Sequence, residues 1–287
     1  MGIRSAVSGE KAWAKINLTL EVLGRRDDGY HDIASVIQVI DLGDDLTFEV
    51  AEGLRLSCNL PEMASPQNLV VKAARMLQEV AGRKLGASIC LEKAVPLASG
   101  LGGGSSDAAA TLRALSQMWG LNLDRERLRD IAARLGSDVP FFLAEATTAL
   151  VRGRGDQVTP LPPLPETWFV LVRPPVTIAN KTRQMYSRLD VSHFTAGEHT
   201  RRMVQLIDGR RRVSTQHCYN AFDSVAFSFW PQLEDCRLRF LAAGASQVHL
   251  AGSGPTLFTL VADKAQGEEI CLRLKRERVE GRLVRSL

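Results

Sequence analysis

At 287 residues, with 45% hydrophobic and 24% charged side chains, the chain has the balance of a globular protein and the length for two domains. A formal net charge of +4, with acids and bases interspersed, is weak evidence for nucleic-acid binding, which usually shows a clustered basic face. Five cysteines (Cys58, Cys90, Cys218, Cys236, Cys271) form no Cys-x-x-Cys pair, so neither a zinc site nor a disulfide framework is signalled. Reduced thiols fit a cytoplasmic setting. Met1 to Glu10 holds no apolar stretch of signal-peptide length, and no run of about eighteen apolar residues predicts a membrane span.

Ala12 to Leu23 alternates as a half-buried strand. Ala12, Ala14, Ile16, Leu18, Leu20 and Val22 share the apolar face. Trp13, Lys15, Asn17, Thr19 and Glu21 share the other, which the pattern alone leaves facing solvent. Gly24 to Gly29 reads as a turn with Asp28-Gly29 as its hairpin signal, followed by Tyr30-His31. Ile33 to Ile40 reads as a strand, and Leu46–Val50 with Leu54–Leu60 as a hairpin pair. Asn68 caps a helix that runs to Ala81 and stops at Gly82.

Next comes the stretch around which the rest is organised, Pro96-Leu-Ala-Ser-Gly-Leu-Gly-Gly-Gly-Ser-Ser-Asp107. Ala87 to Lys93 before it alternates like a strand, and Ala108 to Leu115 after it is strong helix-forming sequence. Strand, glycine loop and helix in that order suit a phosphate. Glycines admit positive φ and close approach, and a helix N-terminus offers unpaired N–H groups. Ser105, Ser106 or Asp107 is the expected cap. The loop lacks the Gly-Lys-Ser/Thr of a Walker A motif and the third glycine of a dinucleotide fingerprint. A plain Gly/Ser linker is the bland alternative, but linkers are seldom framed by a strand and an apolar-periodic helix.

Asp124 to Leu135 reads as a capped helix stopped by Gly136, and Ser137-Asp138-Val139-Pro140 follows. By pattern alone Asp138 is another capping aspartate. Thr147 to Arg152 is strand-like. Thr159 to Pro165, with four prolines, is the best linker, dividing domains at 1–160 and 161–287. Beyond it, Trp168–Val172 reads as a strand and Asn180–Leu189 as a helix with Thr182 and Tyr186 on one face. Leu189 to Cys218 is polar and unassigned. Arg201-Arg202 and Arg210-Arg211-Arg212 read as solvated helix ends or loop. Pro231–Ala243 and Asp263–Arg278 read as helices, and Gln247–Leu250, Leu257–Val261 and Leu283–Val284 as strands. Ala251-Gly-Ser-Gly-Pro-Thr256 is a tight glycine turn.

Pro-x-x-x-Gly-Leu-Gly-Gly-Gly-Ser-Ser resembles the ATP loop of the GHMP kinases, the family of galactokinase, homoserine kinase and mevalonate kinase. Ala14-Lys15-Ile16-Asn17-Leu18, Gly136-Ser137-Asp138-Val139-Pro140 and Gly252-Ser253-Gly254-Pro255-Thr256 resemble that family's other motifs, in the family's order. Many members have glycine or alanine where this chain has Ser99. The resemblance implies an α+β, two-domain GHMP kinase architecture: an N-terminal ribosomal-protein-S5-like domain and a C-terminal ferredoxin-like domain. It implies ATP as co-substrate with Mg²⁺, held by Pro96, Gly100, Leu101, Gly102, Gly103, Gly104, Ser105 and Ser106. It makes Asp138 the catalytic base and Lys15 its catalytic partner. Gly29-Tyr30-His31 is similar to the branch whose small-molecule substrate is a cytidine diphosphate-linked methylerythritol. There Asn17, Tyr30, His31, Thr182 and Tyr186 would bind the substrate, the aromatic ring of Tyr186 covering one side of the cytosine. The expectation is a monomer or weak homodimer with no dedicated metal ligands and neither nucleic-acid nor membrane partners. A kinase of another small alcohol, or a non-catalytic sensor or RNA-binding module on the same fold, are the rivals.

Overall fold

The computed structural model describes residues 8–144 and 146–287. In chain order the elements are β1 (Ser8–Arg25), β2 (His31–Val50), β3 (Leu54–Cys58), α1 (Leu69–Ala81), β4 (Ala87–Glu92), α2 (Gly103–Met118), α3 (Arg125–Leu135), α4 (Val139–Leu143), β5 (Thr148–Gly153) and β6 (Gln157–Pro160). Then come β7 (Trp168–Val172), α5 (Lys181–Tyr186), α6 (Glu198–Asp208), β8 (Tyr219–Asn220), α7 (Asp223–Phe229), α8 (Pro231–Ala242), β9 (His249–Leu250), β10 (Leu257–Val261), α9 (Lys264–Arg276) and β11 (Gly281–Arg285). No described helix is long and apolar enough to cross a membrane.

Two compact units emerge, and neither is a continuous stretch of chain. One holds residues 8–14, 42–97 and 102–144; the other holds Lys15–Asp41, Ala98–Leu101 and residues 146–287.

In the first unit the C-terminal half of β2 pairs antiparallel with β4, from Asp45↔Glu92 to Val50↔Ala87. β4 in turn pairs in parallel with β3. The sequence predicts β2 and β3 as a hairpin, but β4 lies between them. A turn at 51–53 fits either pairing, and the alternation of Ala87, Ile89 and Leu91 fills the central place with buried side chains. Helix α1 starts at Asn68, whose side chain accepts from Val70 N–H, and stops at Gly82 in the left-handed region, φ 65°. Its Val70, Ala73, Ala74 and Leu77 pack with Phe48, Ile89 and Leu91. Helix α2 is buried on most sides, with Ala108, Ala109 and Ala110 small enough for close approach. Asp124 caps α3 through Arg127 N–H.

In the second unit the N-terminal half of β2 pairs antiparallel with β5, and β5 with β6. Thr159 and Pro160 therefore end a paired strand instead of opening the proline-rich connection. β1 pairs in parallel with β8 at Thr19↔Tyr219 and Leu20↔Asn220. A second sheet has the order β11-β7-β10-β9, every pairing antiparallel. In order of chain position that is 4-1-3-2, the ferredoxin-like arrangement. Phe240 of α8 and Ile270 and Leu274 of α9 bury against it with Val170, Val172 and Leu257. The α+β class expected from the sequence is the one observed.

Three expectations change here. The polar face of β1 does not face solvent: Lys15 is 3% exposed, Asn17 5%, and Thr19 and Glu21 are fully buried. Each of these polar groups has a partner, as burial requires. Asn17 donates to Ser35 Oγ at 2.8 Å, Thr19 Oγ1 accepts from Val36 N–H at 2.9 Å, and Glu21 accepts from Thr200 N–H at 2.7 Å. The helix predicted over 180–189 is regular only over Lys181–Tyr186. Within the unassigned polar stretch, α6 forms on three inward residues, Thr200, Met203 and Ile207.

Candidate active site

The first unit presents the second half of the glycine loop as the start of α2. Gly102, at φ 74°, is the N-cap, and no side chain caps this terminus. The helix begins two residues earlier than the serines. Ser105 and Ser106 thus lie within its first turns, and neither they nor Asp107 serve as the expected cap. Ser106 is buried and Ser105 half-buried. The N–H groups of the first turn are offered outward with the positive end of the helix dipole behind them. Gly103 is sterically required: a Cβ there would lie 2.8 Å from Val95 Cγ1 and 3.3 Å from Lys93 Nζ.

Beneath this terminus lies a buried ionic cluster. Lys93 pairs with Asp44 and, at 2.8 Å, with Asp107; all three side chains are 3% exposed or less. Asp44 also accepts from Ala94 N–H at 2.6 Å and Val95 N–H at 2.7 Å. Burial, opposed by Lys93 and reinforced by Asp44, pushes the Asp107 carboxyl up to about 7. The cluster ties β4, the stretch before the glycine loop and α2 together.

Asp138 stands at the start of α4 with helical backbone angles, φ −82° and ψ −14°, and its side chain does not cap that helix. The capping role that pattern alone gives it is therefore not the one it has. It is half-buried, and the preceding Gly136 brings the turn beside Ser105: a Cβ on Gly136 would lie 4.0 Å from Ser105 Oγ. Pro96 is half-buried where β4 leads into the loop.

The second unit holds the first half of the glycine loop. Leu101 is buried, and its carbonyl accepts from Lys15 N–H at 2.9 Å. Lys15 Nζ donates to Asn17 Oδ1 at 2.7 Å. The turn 251–256 packs against the same place. Thr256 N–H donates to Ser99 O at 3.2 Å, and a Cβ on Gly100 would lie only 2.0 Å from Ala251 O. A Cβ on Gly252 would meet Gly100 O at 3.2 Å, Asn17 Oδ1 at 3.3 Å and Lys15 Nζ at 3.3 Å. The predicted Gly100, Leu101, Lys15, Asn17 and Gly252 are thus one packed group.

Thr182 hydrogen-bonds Ser253 Oγ at 3.1 Å. Lys181, a residue the sequence did not single out, donates to Ala98 O at 3.1 Å and to Gly254 O. Helix α5 therefore holds both glycine turns. Its Tyr186 stacks directly on His31, ring centroids 4.7 Å apart and 21° between planes, and meets Phe222 edge-on at 4.9 Å. Two successive ring-on-ring intervals need about 7 Å or more, so no base lies between His31 and Tyr186 in this arrangement. Burial, with Arg25 adding to it, lowers the His31 pKa and favours the neutral ring, which has one donor and one acceptor. Tyr30 is 55% exposed and lies under the Arg154 guanidinium at 5.0 Å.

Glu21, Glu198 and His199 could bring ligand atoms within 4.8 Å of one another. Glu21, however, already accepts from His199 N–H and Thr200 N–H, so its carboxylate is accounted for as the acceptor at the start of α6.

Comparison with known proteins places these features. Residues 68–145 match the GHMP kinases N terminal domain, and residues 210–280 match the GHMP kinases C terminal domain. The chain belongs to the GHMP kinase family. It is 42% identical over 275 residues to a 4-diphosphocytidyl-2-C-methyl-D-erythritol kinase of Dehalococcoides mccartyi, covering 96% of each chain. A Moorella thermoacetica protein of that name is 40% identical over 282 residues, covering 96% of this chain and 98% of the other. A crystal structure of 4-(cytidine 5'-diphospho)-2C-methyl-D-erythritol kinase superposes with a TM-score of 0.81 at 31% identity, over 97% of this chain and 99% of that one. Homoserine kinase from Cytophaga hutchinsonii shares the fold, with a TM-score of 0.70 at 17% identity over 100% of this chain and 97% of that one.

Proposed function

We propose that the protein transfers the γ-phosphoryl group of ATP to the C2 hydroxyl of 4-diphosphocytidyl-2-C-methyl-D-erythritol, in isoprenoid precursor synthesis by the non-mevalonate route. The observation that carries this reading is the 42% identity to a kinase of that name across 96% of both chains. Gly29-Tyr30-His31 supports it, because homoserine and mevalonate carry no base to hold.

ATP with Mg²⁺ supplies the electrophilic phosphoryl group. The chain fits such an anion, since the N-terminus of α2 is uncapped by any side chain and follows a glycine turn. Gly102, Gly103 and Gly104 let the backbone approach the phosphates, and the hydroxyls of Ser105 and Ser106 are the oxygens suited to phosphate or Mg²⁺. Asp138 orients the acceptor hydroxyl and takes its proton as the new P–O bond forms and ADP departs. Lys15 offsets the charge of the transferring group, and Asn17, held by Ser35, presents its amide to the substrate. Tyr30, His31, Thr182 and Tyr186 hold the cytidine end, and that remote binding fixes the reacting hydroxyl.

The test is ADP release by the purified protein with ATP and Mg²⁺ and three alternative acceptors: the cytidyl substrate, homoserine and mevalonate phosphate. Turnover with the cytidyl substrate alone is expected. Turnover with another acceptor would retain the kinase and remove the cytosine roles. Nucleotide binding without any turnover would favour a sensor on the same fold.

A further inference from the structure

Gly252 is the point where the turn 251–256 touches Lys15, Asn17 and the Gly100 carbonyl, and its backbone is left-handed at φ 59°. What holds it there is a side chain from elsewhere in the chain. Asn220, 4% exposed, donates one amide hydrogen to Gly252 O at 2.8 Å and the other to Leu250 O at 2.9 Å. Its Oδ1 accepts from Phe222 N–H at 2.9 Å. Three of its four hydrogen-bonding capacities are used, all on backbone, which leaves the side chain one orientation. Asn220 is itself fixed, lying in β8 directly opposite Leu20 of β1, the strand that carries Lys15 and Asn17.

We propose that Asn220 is a positioning residue for phosphoryl transfer, setting the place of Lys15 and Asn17 by holding the backbone of Gly252 against them. This rests on the function proposed above, which gives Lys15 and Asn17 their roles. The side-chain hydrogen bonds of Asn220 go to Leu250, Gly252 and Phe222, so it acts through Gly252. Loss of its two donors leaves two inward carbonyls unpaired, which the turn relieves by moving outward. Displacing a reacting group by about 1 Å costs on the order of 100-fold in rate.

A neighbour provides the comparison. Asp223 accepts from Leu250 N–H at 2.9 Å and pairs with His249 at 2.7 Å, so its side-chain hydrogen bonds hold β9 and not Gly252. If Asn220 served only to keep β9 in place, the two residues would behave alike. The variants are Asn220→Asp, which keeps size and the bond from Phe222 but has no donors, and Asp223→Asn. Asn220→Asp is expected to lower kcat on the order of 10–100-fold while KM for ATP moves less than about threefold. Asp223→Asn is expected to keep kcat within about threefold of wild type. Gly252→Ala reaches the same contact from its other side and should give the kcat phenotype with Asn220 intact. The double variant should cost little more than either single one. Hydrogen exchange over 250–256, which needs no substrate, should rise about tenfold or more in Asn220→Asp. Wild-type kcat in Asn220→Asp or in Gly252→Ala, an equal loss in Asp223→Asn, or unchanged exchange would overturn the proposal. If the wild type turns over no acceptor, the functional reading falls, and the exchange measurement still decides whether Asn220 holds the turn.

Discussion

Gly100→Ala isolates the packing of one glycine turn on the other. Gly100 has φ 88°, and an added Cβ would sit 2.0 Å from Ala251 O and 2.8 Å from Gly254 O. Both are backbone atoms and cannot rotate away. A non-glycine residue in the left-handed region costs about 1–2 kcal/mol. Forcing a methyl group into packed backbone costs a further ~1–3 kcal/mol. The total is on the order of 2–5 kcal/mol. Carried wholly by displacement of the two turns, it corresponds to a loss of roughly 30-fold to a few thousand-fold in kcat/KM for ATP. Carried by unfolding, it appears as a lowered Tm. The assay is ADP release across an ATP series, with Tm measured on the same preparations. Gly104→Ala is the matched comparison: its Cβ would meet only Leu69 Cδ1 at 3.6 Å, within helix α2. There alanine gains about 1 kcal/mol of helix propensity, so Tm holds or rises. Gly100→Ala with kcat/KM within threefold of wild type and an unchanged Tm would refute the close approach of the turns.

Other outcomes follow from the same geometry. Asp138→Asn keeps the size of the side chain and the fold and loses at least ~100-fold in kcat; near-normal turnover would remove the general-base role. Tyr30→Ala, at a 55% exposed position, raises KM for the cytidyl substrate and leaves both Tm and KM for ATP in place; an unchanged substrate KM counts against base recognition. Asp107 gives a pH signature. Its carboxyl is raised from 3.8 to about 7, so the folded chain binds more protons than the unfolded one between those values. Its contribution therefore falls as pH rises from about 4 to about 7. Asp107→Asn should flatten that part of the Tm–pH curve, and an identical slope in both proteins would contradict the assignment.

Local signals in the sequence were sufficient wherever the structure uses neighbouring residues. Asn68 and Asp124 cap the helices they precede, and Gly82 and Gly136 end them. The strand before the glycine loop and the helix after it are both present. Pattern alone leaves the polar face of β1 to solvent because its burial depends on Ser35, Val36 and Thr200, which periodicity within one strand does not report. The site shows the same division. Lys15, Asn17, Gly100 and Gly252 were each named from motifs, but their mutual packing was not foreseeable. Asn220 lies in Cys218-Tyr-Asn-Ala-Phe-Asp223, where nothing periodic marks it; an asparagine and an aspartate three apart among apolar residues was the only hint. Lys181 carries no signal in the sequence, since a lysine at the start of a short polar helix ordinarily reads as solvated. The direct stack of Tyr186 on His31 joins positions 155 residues apart, which one sequence cannot announce.

The discontinuous make-up of the two units constrains how the protein is made. Residues 15–41 leave the ribosome early, yet apart from Ala98–Leu101 the rest of their unit begins only at 146, and Thr19 meets its β-partner Tyr219 two hundred residues later. During synthesis residues 15–41 of β1 and β2 must wait as long, largely apolar strands until their partners from 146 onward are made. Such non-local pairing folds slowly and leaves strand edges open to other chains. The yield of active protein should therefore respond to translation speed and chaperone supply more than its equilibrium stability suggests. For the same reason, an N-terminal fragment ending at 144 keeps every described residue of the first unit but severs the second.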